Sequence, residues 1–173
     1  MALDIVGGRL VRRAKSVDLP NILTIYESAR AYMIETGNPT QWAGGYPAKE
    51  LLEDDIEKEQ LYVFEEGGQI HGAFAFIIGD DPTYQVIENG TWLNDDEYGT
   101  IHRIASDGKC MGVLETCVNF CAERIDNLRI DTHHDNKVMQ EAVKRQGFIE
   151  CGVIYVEDGS ARIAYQRMAS DKK

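Results

Sequence analysis

The chain has 173 residues, with 29 Asp+Glu against 18 Lys+Arg and a formal net charge of −11. That length suits a single domain spanning residues 1–173, and 43% hydrophobic residues argue against intrinsic disorder. No apolar run approaches the ~20 residues that cross a bilayer, so no membrane partner is expected, and net acidity repels phosphate, so no nucleic acid is expected either. Met1-Ala2-Leu3-Asp4 has neither the basic start nor the apolar run of a secretory signal, and a cytoplasmic protein is the expectation.

The charge is unevenly spread. Residues 1–49 carry a net +2, residues 50–97 carry −13, and residues 98–173 are neutral. The acidic middle reads either as a solvated surface or as a field that attracts a cationic substrate. The neutral C-terminal part is open to an anionic cofactor.

Residues 10–15 read as a first strand. Asp18 is placed to cap a helix with Pro20 in its first turn, and Leu19, Ile22, Tyr26, Ala29 and Met33 form its apolar stripe until Gly37 ends it. Residues 38–47 form a loop carrying Trp42 and Tyr46, and a short acidic helix follows at about 48–58. Strands are predicted at 61–64 and 70–78, a possible short one at 84–87, and a central one at 98–105. A helix at 112–124 leads to a strand at 128–132, and a helix at 136–146 closes at Gly147. Residues 148–156 and 162–166 make a hairpin around Asp158-Gly159. The order implies an α/β (α+β) layer fold with a mixed sheet of about seven strands.

The four cysteines, at 110, 117, 121 and 151, include no CxxC pair. Buried thiols in a reducing compartment fit better than zinc held together with His133 or His134, so no metal is expected.

The turn from the strand at 98–105 into the next helix contains Gly108, Lys109 and Gly112. Free amides and the helix dipole there favour an anion, although neither a Walker loop nor GxGxxG is present. The next strand ends in Asp131-Thr132-His133-His134-Asp135-Asn136, with Gly147-Phe148 eleven residues beyond Asn136. In these features the chain resembles the GNAT superfamily of acyl-CoA-dependent N-acetyltransferases, most sharply over residues 100–148. The loop matches the family's [QR]xxGx[GA] in part: Asp107 stands for Gln or Arg, Cys110 for the first Gly, and Gly112 keeps the last small position. Val143 stands where many members carry a Tyr that acts as general acid.

The resemblance implies helices on both sheet faces, with the fourth and fifth strands (98–105 and 128–132) splayed near a bulge. It implies acetyl-CoA as co-substrate, with the pantetheine arm along Ile104 and Ala105. The amides of Lys109, Cys110, Met111, Gly112 and Val113 would take the pyrophosphate, and Asn136 would contact the pantetheine. The implied activity is acetyl transfer to a primary amine by direct attack, the acceptor being a small cationic molecule. A family member that binds or senses acyl-CoA without turnover is the second reading. His102 is the first candidate for the base, on one strand face with Tyr98 and Thr100 and with Arg103 opposite. His134 and Tyr155 are further catalytic candidates. A helix-start position should lower the Cys110 thiol pKa. Tyr32, Trp42, Tyr46, Trp92 and Tyr98 are candidate walls of the acceptor site, among Asp80, Asp81, Asp95, Asp96 and Glu97. The C-terminal hairpin offers an edge for a homodimer.

Overall fold

Alternating apolar residues build a sheet covered on both faces in a computed structural model, which describes residues 4–169; Met1–Leu3 lie outside the described residues. The strands are β1 (Asp4–Val6), β2 (Arg9–Arg13), β3 (Leu61–Glu66), β4 (Gln69–Ile78), β5 (Gly99–Ser106), β6 (Leu128–Thr132), β7 (Ile149–Tyr155) and β8 (Ala161–Arg167). The helices are α1 (Leu19–Glu35), α2 (Lys49–Glu57), α3 (Val113–Ala122) and α4 (Lys137–Arg145). All eight strands form one sheet in the order β1-β2-β3-β4-β5-β6-β8-β7. Each neighbouring pair is antiparallel except β5–β6.

The strand β1 was not expected. Its three residues are too short for a periodic signal, and they pair with β2 across Gly7-Gly8. The possible strand at 84–87 is instead a single 3-10 turn at Pro82–Tyr84, followed by one bridge from Glu88 to Val153 of β7. A side chain on Gly90 would collide with the Cys151 carbonyl, so glycine lets this loop lie against the sheet edge.

Alternation along β4 divides the core. Phe74 and Phe76 pack with Ile101, Leu128, Ile130 and residues of α3 and α4. Ala73 and Ala75 face the other way, against Ile22, Ile25 and Tyr26 of α1 and Leu52 of α2. Small residues on that face let α1 approach the sheet closely. Asp18 precedes α1 without capping it. Its carboxylate instead accepts from the Lys15 amide at 2.7 Å and from Arg12 at 2.8 and 2.9 Å.

The decisive irregularity is in β5. Ala73 pairs with Ala105 and Ala75 with His102, so two residues, Arg103 and Ile104, stand against one. Arg103 has φ +52°, a left-handed backbone rare outside glycine. The bulge reverses the alternation expected for Arg103. Its guanidinium turns to the α2 side and pairs with Asp55 at 2.8–3.0 Å, while the Tyr26 hydroxyl donates to its carbonyl at 2.6 Å. Asp55 is 1% exposed, so removing it leaves a buried cation without a partner. Asp55→Ala is expected to cost about 3–5 kcal/mol in urea denaturation, with Asp55→Leu/Arg103→Met recovering most of the loss.

Candidate functional site

The parallel pair β5–β6 keeps register only at Gly99 with Leu128 and Thr100 with Arg129; beyond these the strands part. The splayed pair implied by the resemblance is therefore present, with the bulge at its mouth. Ile104 and Ala105 line the β5 bank, Ile104 half-buried and Ala105 buried. At the end of β5 the chain enters α3 through Gly112, which adopts φ +70° and caps the helix without a side chain. The first-turn amides therefore lack a side-chain acceptor and are disposed toward an anion.

A Cβ at Gly112 would lie 3.7 Å from Arg9 Nη1 and 3.8 Å from Glu115 Oε2, so both a cation and a carboxylate border the cradle. Arg9 Nε is buried without a hydrogen-bond partner, its nearest carboxylate oxygen being Glu66 Oε1 at 3.7 Å. Met111, Gly112 and Lys109 are exposed, and Val113 is buried at the helix start. The Gly108 and Lys109 amides donate to the side chains of Ser106 and Asp107, and the second Asp107 oxygen meets His71 Nδ1 at 2.8 Å. Cys110 departs from the expected low thiol pKa. Burial and the Glu66 carboxylate, which accepts from its Sγ at 2.9 Å, push the thiol up to about 11.

His102 lies on the α1 face of β5. Its Nε2 is 2.7 Å from Asp81 Oδ2, both side chains being mostly buried. Asp81 Oδ1 accepts from the Thr83 amide and hydroxyl, and the Asp81 amide donates to the Tyr98 hydroxyl. Burial alone would raise the Asp81 pKa, but the bonds from His102 and Thr83 outweigh it and hold the carboxyl down at about 2. Asp81 is thus ionised and accepts from Nε2–H. The other ring nitrogen of His102, Nδ1, has no hydrogen-bond partner among the described residues. Tyr84 completes the group. Its ring is 6.1 Å from that of His102, and its hydroxyl donates to Asp131 Oδ2 at 2.6 Å. Burial, then Asp131, raises its pKa well above the usual phenol value. In the sequence Asp81 stands only among the acidic residues of the acceptor region and Asp131 only within the strand-end motif, and neither their bonds to His102 and Tyr84 nor a role for Tyr84 is anticipated.

The other candidates are dispersed. His134 is exposed and stacks on His133 at 4.2 Å, with its Nε2 3.2 Å from Asp135. His133, His134 and Asp135 hold ligand atoms within 4.8 Å of one another, without a cysteine. Both His133 nitrogens are already engaged, Nδ1 by the Asp135 amide and Nε2 by the Thr40 hydroxyl. Asn136 caps α4 through Met139 N and donates to Gln41 Oε1 at 3.1 Å, tying the 38–47 loop to the end of β6. Tyr155 sits on the edge strand β7, two strands from β6, with its hydroxyl on Glu88. Trp42 packs between Tyr26 and Tyr46, and Tyr32 is exposed on α1. Trp42 also borders an open groove of about 380 Å³ with Arg30, Met33 and Ile34, which excludes His102 and Asp81.

Trp92 and Tyr98 sandwich the Arg129 guanidinium at 4.0 and 3.8 Å, and Tyr98 is buried, so both serve to pin the 79–98 loop. Of the five acidic residues expected around the acceptor, Asp81 is the one that bonds His102. Asp95, Asp96 and Glu97 lie at the opposite, N-terminal end of β5.

A mixed sheet with a bulged and splayed parallel pair, and a bare helix start at the end of the gap, defines an acyltransferase-type scaffold. The chain matches an acetyltransferase of the GNAT family from Streptococcus agalactiae 2603 with a TM-score of 0.87 and 31% identity, over 98% of this chain and 100% of that one. It belongs to the GNAT family of acetyltransferases. A GNAT-family acetyltransferase from Listeria monocytogenes 4b F2365 shares the fold at TM-score 0.70 and 22% identity, covering 96% and 99% of the two chains. A ribosomal-protein-alanine N-acetyltransferase from Brucella melitensis does so at 0.59 and 18%, covering 92% and 99%. No family model matches the chain, and no curated protein does. No helix among the described residues is long and apolar enough to cross a membrane.

The low Asp81 pKa has a stability consequence. A carboxyl depressed on folding stabilises the protein above its unfolded pKa of 3.8, and that contribution disappears as pH falls toward about 2. Asp81→Asn is expected to flatten the acid limb of stability between these values by on the order of 2 kcal/mol, read by denaturant melts at stepped pH.

Proposed function

We propose that the protein transfers an acetyl group from acetyl-CoA to a cationic primary amine by direct attack, with His102 as general base. The carrying observation is the His102–Asp81 pair beside the β5–β6 gap, with the imidazole held so that Nδ1 is free. Acetyl-CoA supplies the activated thioester. Residues Ile104 and Ala105 would receive an extended amide-bearing arm along the freed strand edge, and the amides of Met111–Val113, with Arg9 beside them, suit a pyrophosphate. Asn136 stands at the other bank of the gap. Asp81 orients His102, and Nδ1 takes one proton from the acceptor ammonium and passes it to water. The neutral nitrogen then forms the amide bond as the carbon–sulfur bond breaks, and its second proton ends on the released thiol. Small basic amines suit the carboxylates near His102. The cytoplasm and a homodimer paired through the β7 edge are consistent extensions of this reading.

A thiol-release assay over a panel of amines tests the reading. His102→Gln should lower kcat by about 10²–10⁴-fold with acetyl-CoA affinity retained. Binding of acetyl-CoA without release on any amine would favour the sensing reading, which the residues Asp107 and Val143 keep in view. Separately, Gly112→Glu adds bulk and negative charge to the cradle and should abolish measurable acetyl-CoA binding by calorimetry. Unchanged affinity would move the cofactor elsewhere.

A further inference from the structure

Asp131 is the one carboxylate of β6, and the transfer step above does not use it. The β5–β6 register pairs Thr100 with Arg129. The next residues on that same face are His102 and Asp131, which therefore stand on opposite banks of the gap. Tyr84 spans the space between them, packing against His102 and donating its hydroxyl to Asp131 Oδ2 at 2.6 Å. The other oxygen, Oδ1, has no hydrogen-bond partner among the described residues, and no Lys, Arg or His there pairs with the carboxylate. Other mostly buried acids in the same layers are compensated: Asp55 by Arg103, Asp18 by Arg12, and Asp81 by His102. Asp131 is half-buried, fixed at one oxygen, and lacks a cation. Oδ1 is not among the buried unpaired atoms, so it is open to solvent and to a cation brought from outside.

We infer that Asp131 binds the ammonium of the acceptor. Oδ1 accepts one N–H of the incoming –NH3+, Tyr84 keeps the carboxylate from turning away, and a second N–H is presented to His102 Nδ1. The substrate class narrows accordingly. An alkylammonium with no carboxylate beside it fits, such as an α,ω-diamine. An α-amino acid would bring its own carboxylate against Asp131 and Asp81 and is rejected. This inference rests on the base role given to His102, and its test separates the two.

The experiment compares the wild type with Asp131→Asn, which keeps the shape and still accepts from Tyr84. The probes are 1,4-diaminobutane and glycine. Two readouts are used: CoA release kinetics, and the rise in Tm that diaminobutane produces without any acetyl-CoA present. The KM for diaminobutane should rise about tenfold or more, as for loss of one charge-assisted hydrogen bond, with kcat and the acetyl-CoA KM little changed. The diamine-induced Tm rise should be present in the wild type, absent in Asp131→Asn, and absent with glycine in both. Three results overturn the inference: an unchanged diamine KM and Tm rise in the variant, a fall in kcat alone, or no Tm rise in the wild type. A wild type that releases no CoA yet shows the Asp131-dependent Tm rise removes the transfer reading and leaves this one standing.

Discussion

The site depends on the backbone of Arg103. A left-handed conformation at a residue with a side chain costs about 1–3 kcal/mol, so it persists only where its surroundings impose it. Three contacts do so: the paired bonds to buried Asp55, the Tyr46 hydroxyl at 3.4 Å, and the Tyr26 hydroxyl on the Arg103 carbonyl. Burial opposes the charge on Arg103, and Asp55 more than compensates, so its pKa is raised on balance. The bulge bends β5 where it would otherwise continue to pair with β6. Helix α2, α1 and the 38–47 loop thus all act on one residue, and the gap follows from that residue's geometry.

The second organising element is the distribution of charge. Four of the fourteen acidic residues in 50–97 pair with arginines from outside that segment. Arg9, Arg12 and Arg13 of β2 meet Glu66, Glu65 and Glu59, and Arg103 meets Asp55. Asp95, Asp96 and Glu97 are exposed at the far end of β5. Near the β5–β6 gap the carboxylates are Asp81, on His102, and Asp131, on Tyr84, and Asp131 belongs to the segment whose net charge is zero.

Long periodic elements were legible in the sequence. The α1 stripe and the β4 run read correctly because their apolar spacing reports directly which face is buried. Gly112 and Asn136 were legible as helix starts because a missing side chain and an amide each have a local backbone use there. The Arg103 side was misread, since alternation assumes an unbroken ladder and nothing local announces the bulge. Trp92 and Tyr98 looked like free aromatics in a breaker-rich stretch, but their partner is Arg129, some thirty residues further along the chain. The individual roles of Asp81 and Asp131 were not legible, because a single carboxylate carries no periodic signal and each partner lies 21 or more residues away in the chain.

By itself, the sequence determined the order and type of nearly all elements, the single wide sheet, the helix start at Gly112, and His102 as the base candidate. Those features depend on residues close in the chain, whose propensities and spacing act locally. Tertiary structure alone decided that β5 bulges, that Asp81 rather than its neighbours holds His102, that Cys110 is a suppressed thiol, and that Asp131 faces His102 across the gap. Each of these is a contact between residues about 20 to 50 positions apart, formed only once the sheet has set its register.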